Sequence, residues 1–220
     1  MTTAPDHVST EAARPGRLPR SERRAQLLEA AQDIFVESGY HSAAMDAIAE
    51  RAGVSKPVLY QHFPSKKDLY LALLDQQCTA IVDLVREALG STDDNRARVA
   101  ATIAAYFEFF DRDGAPFRLV FQSDLTGEPA VRERLDRVET ECAEAIADVI
   151  SGDAALSREH ALILGMALAG AAQNSARHWV TSSSETGVTR TEASRLVDTL
   201  SWRGIGGFPK ADAPGEAATA

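Results

Sequence analysis

The sequence predicts an all-α protein in two parts, a small N-terminal three-helix unit containing a helix-turn-helix and a larger helical domain behind it. Three observations predict this. Apolar residues recur at helical period along nearly the whole chain, and the alternating β-branched runs that mark strands are missing. Breaks fall at Gly/Pro and Ser/Gly clusters spaced as helix ends. Charge divides along the chain: residues 14–67 carry +3, whereas residues 68–220 carry −10. Such a split suggests a module that meets a polyanion joined to one that does not, or simply two solvated faces of opposite sign.

Taken in order, residues 1–20 are rich in Thr, Ala, Pro and Arg without periodicity and read as a mobile arm. The first helix should run from Ser21 to Ser38, stopped by Gly39, with Leu27, Leu28, Ala31, Ile34 and Phe35 as its buried stripe. Met45, Ile48, Ala49 and Ala52 follow the i, i+3, i+4, i+7 pattern of a short second helix, and Gly53 closes it. A third short helix spans Ser55 to Phe63, and Pro64 ends it. Ser65-Lys66-Lys67-Asp68 has capping-box spacing and opens a long helix to Ala88, closed by Gly90. The spacing then predicts helices over Arg96–Arg112, Pro116–Leu125, Pro129–Ile150, Arg158–Thr181 and Glu192–Gly204. The domains so drawn are 21–65 and 66–208, with a fraying tail over 209–220.

Composition excludes several classes. The longest apolar run, Ala161 to Ala172, is too short to span a bilayer, so no membrane role is expected. The N-terminus carries no apolar signal core, which predicts a cytoplasmic protein. Cys78 and Cys142 fit neither a disulfide framework nor zinc spacing, and the five histidines lack partners at metal-ligand spacing, so no metal site is expected. No nucleophile elbow or dinucleotide loop is present, so neither an enzyme nor a resident cofactor is expected.

Met45 to His62 has the spacing of two short helices joined by a glycine turn. Gly53 allows a left-handed backbone without a Cβ clash. Val54 and Leu59 should point into the core with Ile48 and Phe35, which leaves Ser55, Lys56, Pro57, Val58, Tyr60, Gln61 and His62 on or beside the outer face. Gln61 suits a base edge and Val58 a thymine methyl. Lys56, Tyr60 and Lys66 suit phosphates, which position a protein without reading sequence. Pro57 falls in the first turn, where its missing N–H costs nothing. Arg14, Arg17 and Arg20 are placed to reach a flanking minor groove. A plain helical hairpin would share much of this spacing.

Gly39-Tyr40, Ala47-Ile48-Ala49, Ala52-Gly53-Val54-Ser55, Leu59-Tyr60 and His62-Phe63-Pro64-Ser65-Lys66 together resemble the N-terminal signature of the TetR family, over about residues 23–70. The resemblance implies an all-helical, homodimeric transcriptional regulator that binds double-stranded DNA at a pseudo-palindromic operator and carries an effector-binding and dimerisation domain. It assigns Ser55 to His62 to the recognition helix, Tyr60 and Lys66 to phosphates, and Ala44 to the start of the second helix. The family usually places Thr or Ser there; Ala43-Ala44 removes that cap, costing about 1 kcal/mol, and leaves only backbone N–H groups for a phosphate. Gly39-Tyr40-His41, Val54 to Phe63, Asp93 to Arg96 and Ala176 to Trp179 further resemble the FasR group. That group regulates fatty-acid synthase genes and responds to long-chain acyl-CoA.

For a small apolar effector, the second domain offers Ile81, Val85, Leu89, Ile103, Tyr106, Phe107, Phe110, Phe117, Phe121, Met166 and Gly170, each of which ordinary core packing would also explain. Arg118, Arg132 and Arg177 are candidates for the cations a CoA head group needs. The last two helices should dimerise through Leu162, Met166, Ala169, Gln173, Leu196, Leu200 and Trp202. Three other readings compete: an acyl-CoA-binding protein whose helix-turn-helix no longer meets DNA, an enzyme on a helical scaffold, and a regulator of efflux or another pathway with an aromatic ligand.

Overall fold

In the computed structural model the described residues are 18–111, 125, 127–154 and 156–204. Among them are eight helices: α1 (Arg20–Ser42), α2 (Met45–Arg51), α3 (Lys56–His62), α4 (Lys66–Gly90), α5 (Asn95–Asp111), α6 (Pro129–Asp153), α7 (Arg158–Thr186) and α8 (Arg190–Arg203). Most of the arm, the tail, and the helix expected over Pro116–Leu125 apart from Leu125 itself lie outside the described residues, as do Arg14, Arg17, Phe117, Arg118 and Phe121.

Local chemistry sets most of the boundaries. Gly39 takes φ 75° and interrupts α1, so one further turn completes the element beyond it. Gly53 takes φ 63° in the α2–α3 turn, and its N–H reaches the Glu50 carbonyl at 3.0 Å. Ser65 caps α4 by accepting the Asp68 N–H at 3.1 Å, and its hydroxyl donates to the Asp68 carboxylate at 2.7 Å. Helix α6 runs to Asp153, three residues past the expected end at Ile150, and two further ends differ from expectation. The Ser/Thr stretch after Thr181 continues α7 for another turn. The hydroxyls of Thr181, Ser182 and Thr186 bond back to carbonyls three or four residues earlier, and left-handed Gly187 supplies the stop. Helix α8 starts two residues early, because Thr189 and Glu192 form a reciprocal capping box.

Two cores organise the molecule. The first joins α1, α2, α3 and the first half of α4: Leu27, Phe35, Ile48, Leu59, Leu69 and Leu73 are all buried in it. Phe35, Tyr40 and Tyr70 meet there with ring centroids 5.2–5.8 Å apart. Leu125, four residues before α6, and Val131 in the first turn of α6 join this same core. The second core holds Ile81, Val85, Phe107, Phe110, Ile146, Ala172 and Val197. Packing therefore divides within α4, near Cys78, which touches both cores, and not at residue 65. Lys67 pairs with Glu128 at 2.7 Å, Asp75 with Arg134 at 2.7 Å, and Gln77 donates to Gln32 of α1 at 2.9 Å. Helix α4 is thus a single strut through both cores, pinned at its first half to α6 and α1.

Helices α6 and α7 approach closely because the α7 face turned inward is small: Ala161, Gly165, Ala169, Ala172 and Ala176 are all buried. No helix among the described residues is long and apolar enough to cross a membrane.

Candidate nucleic-acid interface and effector cavity

Helix α3 presents one side to solvent. Leu59 is fully buried and anchors it, whereas Ser55, Lys56, Pro57, Tyr60 and Gln61 are exposed and Val58 and His62 half-buried. Five of the seven residues that the spacing places on or beside the outer face are thus exposed, and they lie beside the exposed start of α1, where Arg20 and Arg24 stand. Arg24 stacks over Phe63 at 4.4 Å from the ring centre, which fixes α1 against the end of α3. Burial, reinforced by Arg20, Arg24 and Arg23, pushes the His62 imidazole below its usual range, so the group stays neutral on an otherwise basic edge. Ala44 offers no side-chain acceptor to the first amides of α2.

Two cations behave differently from expectation. Lys56 pairs with Asp46 at 2.7 Å across the α2–α3 turn, and that hydrogen bond raises its pKa. Lys66 is not a free phosphate ligand. Its ammonium donates to the carbonyls of Tyr40, His41 and Ala43 at 2.8, 3.0 and 2.9 Å and sits 4.7 Å from the centre of the Tyr40 ring. An ammonium has three donors, and all three are spent on the orphan carbonyls where α1 ends. Lys66 therefore locks the end of α1 to the start of α4. Lys66→Met should weaken any DNA binding while leaving the slope of log affinity against log salt unchanged. A phosphate ligand would instead lower that slope by about 1 per protomer.

In the second domain, a cavity of about 290 Å³ lies between α5, α6, α7 and the ends of α4 and α8. Leu89, Val99, Ile103, Ile146, Val149, Ile150, Leu168 and Ala172 make its apolar wall; Asn95, Arg98, Asp153, Ser201 and Trp202 lie toward the helix ends. A much smaller void of about 20 Å³ follows along the same helices, lined by Gln77, Cys78, Ile81, Tyr106, Phe110, Cys142 and Gln173 among others. Burial pushes the Cys78 thiol up to about 12 and raises the Cys142 thiol and the Tyr106 phenol, so these groups stay protonated and inert. Among the described residues no group of three or more His, Cys, Asp or Glu is placed to hold a metal ion.

These features have known counterparts. A family model for bacterial regulatory proteins of the tetR family matches residues 27–73. The HTH-type transcriptional activator FasR of Mycolicibacterium smegmatis is 42% identical over 196 residues, covering 89% of each chain. The chain belongs to the TetR family. It is thus a transcriptional regulator, and its relatives are regulators rather than enzymes. A TetR-like transcriptional regulator from Rhodococcus sp. RHA1 superposes with a TM-score of 0.67 at 25% identity, over 87% of this chain and all of that one. The regulator FadR of Bacillus subtilis, solved in complex with stearoyl-CoA, superposes with a TM-score of 0.65 at 20% identity, over 82% of this chain and 98% of its own, which is a likeness of fold.

Within this TetR-family frame, the expected effector residues separate. Leu89 and Ile103 line the larger cavity; Ile81, Tyr106 and Phe110 line the smaller one. Val85 is fully buried core, Phe107 packs on Trp179 with centroids 5.8 Å apart, and Met166 and Gly170 lie on α7 away from both cavities. Of the expected head-group cations, Arg132 and Arg177 are exposed and line neither cavity; Arg98 stands at the larger one instead. The expected association face also needs correction. Met166, Leu196, Leu200 and Trp202 are exposed, but Ala169 is buried against α6, Leu162 packs on the second core and Gln173 lines the small void. Ile163 and Leu164, which were not among the expected face residues, are exposed. Trp202 lines the larger cavity, and Arg96 stands 5.8 Å from its ring centre while bonding Asp198 with both guanidinium arms.

Proposed function

We propose that this chain is a homodimeric, sequence-specific DNA-binding regulator of fatty-acid biosynthesis genes, controlled by a long-chain acyl-CoA. The observation that carries the reading is the 42% identity to FasR along nearly the whole of both chains, because it extends through the effector half as well as the DNA-binding unit. The apolar cavity supports the same reading, since a site lined mainly by aliphatic side chains suits an acyl chain. The acyl-CoA complex of the structurally similar Bacillus subtilis regulator points the same way.

In this reading α3 enters the major groove. Gln61 reads a base edge, Val58 meets a thymine methyl, and Tyr60, Ser55 and the free amides of α2 behind Ala44 hold phosphates. Arg20 extends toward the adjoining backbone. Lys56 leaves Asp46 for a phosphate when DNA arrives. The exposed apolar face of α7 and α8 pairs with a second copy, which sets two recognition helices about 34–36 Å apart, or a multiple, on a pseudo-palindromic operator. Ligand in the cavity shifts the balance between two arrangements of the DNA-binding units. Strut α4 carries the shift, because it walls the cavity at Leu89 and holds α1 through Gln77 and Lys66. A coupling of about 1–3 kcal/mol changes operator affinity by roughly 5–150-fold.

Operator titrations test the DNA half of this proposal. Gln61→Ala should lose about 1–3 kcal/mol on the cognate operator and relax base preference at one position per half-site. Tyr60→Phe should weaken every sequence alike. Wild-type affinity should fall steeply with salt. A flat salt response, or equal losses by both variants on all operators, would refute the assignment of α3.

A further inference from the structure

We infer that His62 is a proton-linked phosphate ligand: its imidazole is uncharged in the free protein, takes up a proton as DNA arrives, and donates a hydrogen bond to a backbone phosphate. This rests on the placement of α3 in the groove proposed above and makes acidity a second input to operator binding.

His62 is the last residue of α3 and is half-buried where that helix meets the start of α1. The charged groups that act on its ring are Arg20, Arg23 and Arg24, all from α1. Arg23 donates to the Gln26 side chain at 2.7 Å, and Arg24 stacks over Phe63, the next residue in the chain. None of the three arginines has a carboxylate partner among the described residues. The charges of the neighbouring elements are held in pairs: Lys56 with Asp46 of α2 at 2.7 Å, Arg51 of α2 with Glu37 at 2.9 Å, and Lys67 of α4 with Glu128 at 2.7 Å. The imidazole itself makes no hydrogen bond among the described residues. Its ring nitrogens offer one donor when neutral and two when charged.

Electrostatics then sets the protonation state in each setting. In the free protein, burial and the positive charges of Arg20, Arg24 and Arg23 hold the imidazole below its ordinary range, because a fourth cation there is repelled. DNA reverses this. Its backbone carries one negative charge per about 1.7 Å of helix axis, which offsets the arginines, and a phosphate oxygen accepts more strongly from an imidazolium than from a neutral ring. The pKa of His62 therefore rises on binding. Affinity then grows as pH falls; the gain is complete below the pKa of the free protein and vanishes above that of the complex. Lysine or arginine at this position would make the contact at every pH, whereas histidine makes it conditional.

The test is the pH profile of binding. Labelled DNA from a fatty-acid synthase promoter is titrated with the full chain at constant ionic strength between about pH 6 and 8, the range in which imidazoles titrate. Wild-type affinity should rise by about three- to thirtyfold toward the acid end, since each of two imidazoles contributes at most about tenfold per pH unit. His62→Gln keeps a neutral hydrogen-bonding group and retains His41, which is exposed at the end of α1, and its affinity should lose most of that dependence. Calorimetry of the wild type at about pH 6.8 in PIPES and in imidazole, buffers with different ionisation heats, should show proton uptake on binding whatever the fate of the variant. Affinity indifferent to pH, absence of proton uptake, or a pH dependence that survives in His62→Gln overturns the inference while leaving the assignment of α3 in place. Failure of the wild type to bind the promoter DNA at any pH overturns both.

Discussion

Gly165→Ala should lower stability by about 3 kcal/mol, the upper end of losses from overpacking, and the melting temperature by roughly 6–12 °C. In an exposed helix the same change gains up to about 1 kcal/mol, because alanine loses less backbone entropy on folding. Packing decides the sign here. A Cβ built on Gly165 collides with the Ala143 carbonyl oxygen of α6 and lies 3.2 Å from the carbonyl carbon and 3.4 Å from the Ala147 Cβ. The obstacle is helix backbone, which cannot swing aside as a side chain would, so α6 and α7 must separate along their shared face. Gly152→Ala is the matched control, because nothing lies within 4 Å of a Cβ at that position. Thermal melts of the two variants should move in opposite directions from wild type. A Gly165→Ala protein as stable as wild type would show that the α6–α7 approach is looser than the structure has it.

The other large effect concerns the apolar face of α7 and α8. Ile163 is 66% exposed and Leu196 54% exposed, with Leu164, Met166, Leu200 and Trp202 also open to solvent. Isolated exposed leucines are ordinary, but this many large apolar residues on two neighbouring helices form a patch of the kind that marks an association surface. The double variant Ile163→Glu, Leu196→Glu should be monomeric by analytical ultracentrifugation. Its affinity for a two-half-site operator should drop by about 10²–10⁴-fold, because the second recognition helix no longer binds as an intramolecular event. Binding to an isolated half-site should be unchanged. A double variant that remains dimeric, or that keeps full operator affinity, would place the association surface elsewhere.

How legible each feature is in the sequence depends on the physics that sets it. The DNA-binding unit reads closely because it is specified locally. Met45, Ile48, Ala49 and Ala52 are all buried as their spacing predicts, and Gly53 holds the positive φ that its turn demands. The α7 face misleads because side-chain size is a poor guide to burial there. In its first half Ile163, Leu164 and Met166 face outward, while Ala161, Gly165 and Ala169 are buried, since a close helix crossing selects for small side chains over large ones. The hydroxyls after Thr181 suggest a loop because Ser and Thr compete with the backbone in general, whereas here they satisfy carbonyls of their own helix. Lys66 and Thr102 carry no local signal of what they do. Lys66 resembles an exposed cation until Tyr40, His41 and Ala43 are brought to it from 23–26 residues away. Thr102 resembles any mid-helix threonine until folding leaves its hydroxyl buried without a partner.

The most direct test is fluorescence anisotropy of labelled DNA from a fatty-acid synthase promoter, titrated with the full chain in the presence and absence of stearoyl-CoA. Saturable, sequence-specific binding should shift by roughly 5–150-fold with stearoyl-CoA, and should not respond to CoA alone. Specific binding that is indifferent to stearoyl-CoA, or no specific binding to such promoters, would contradict the account.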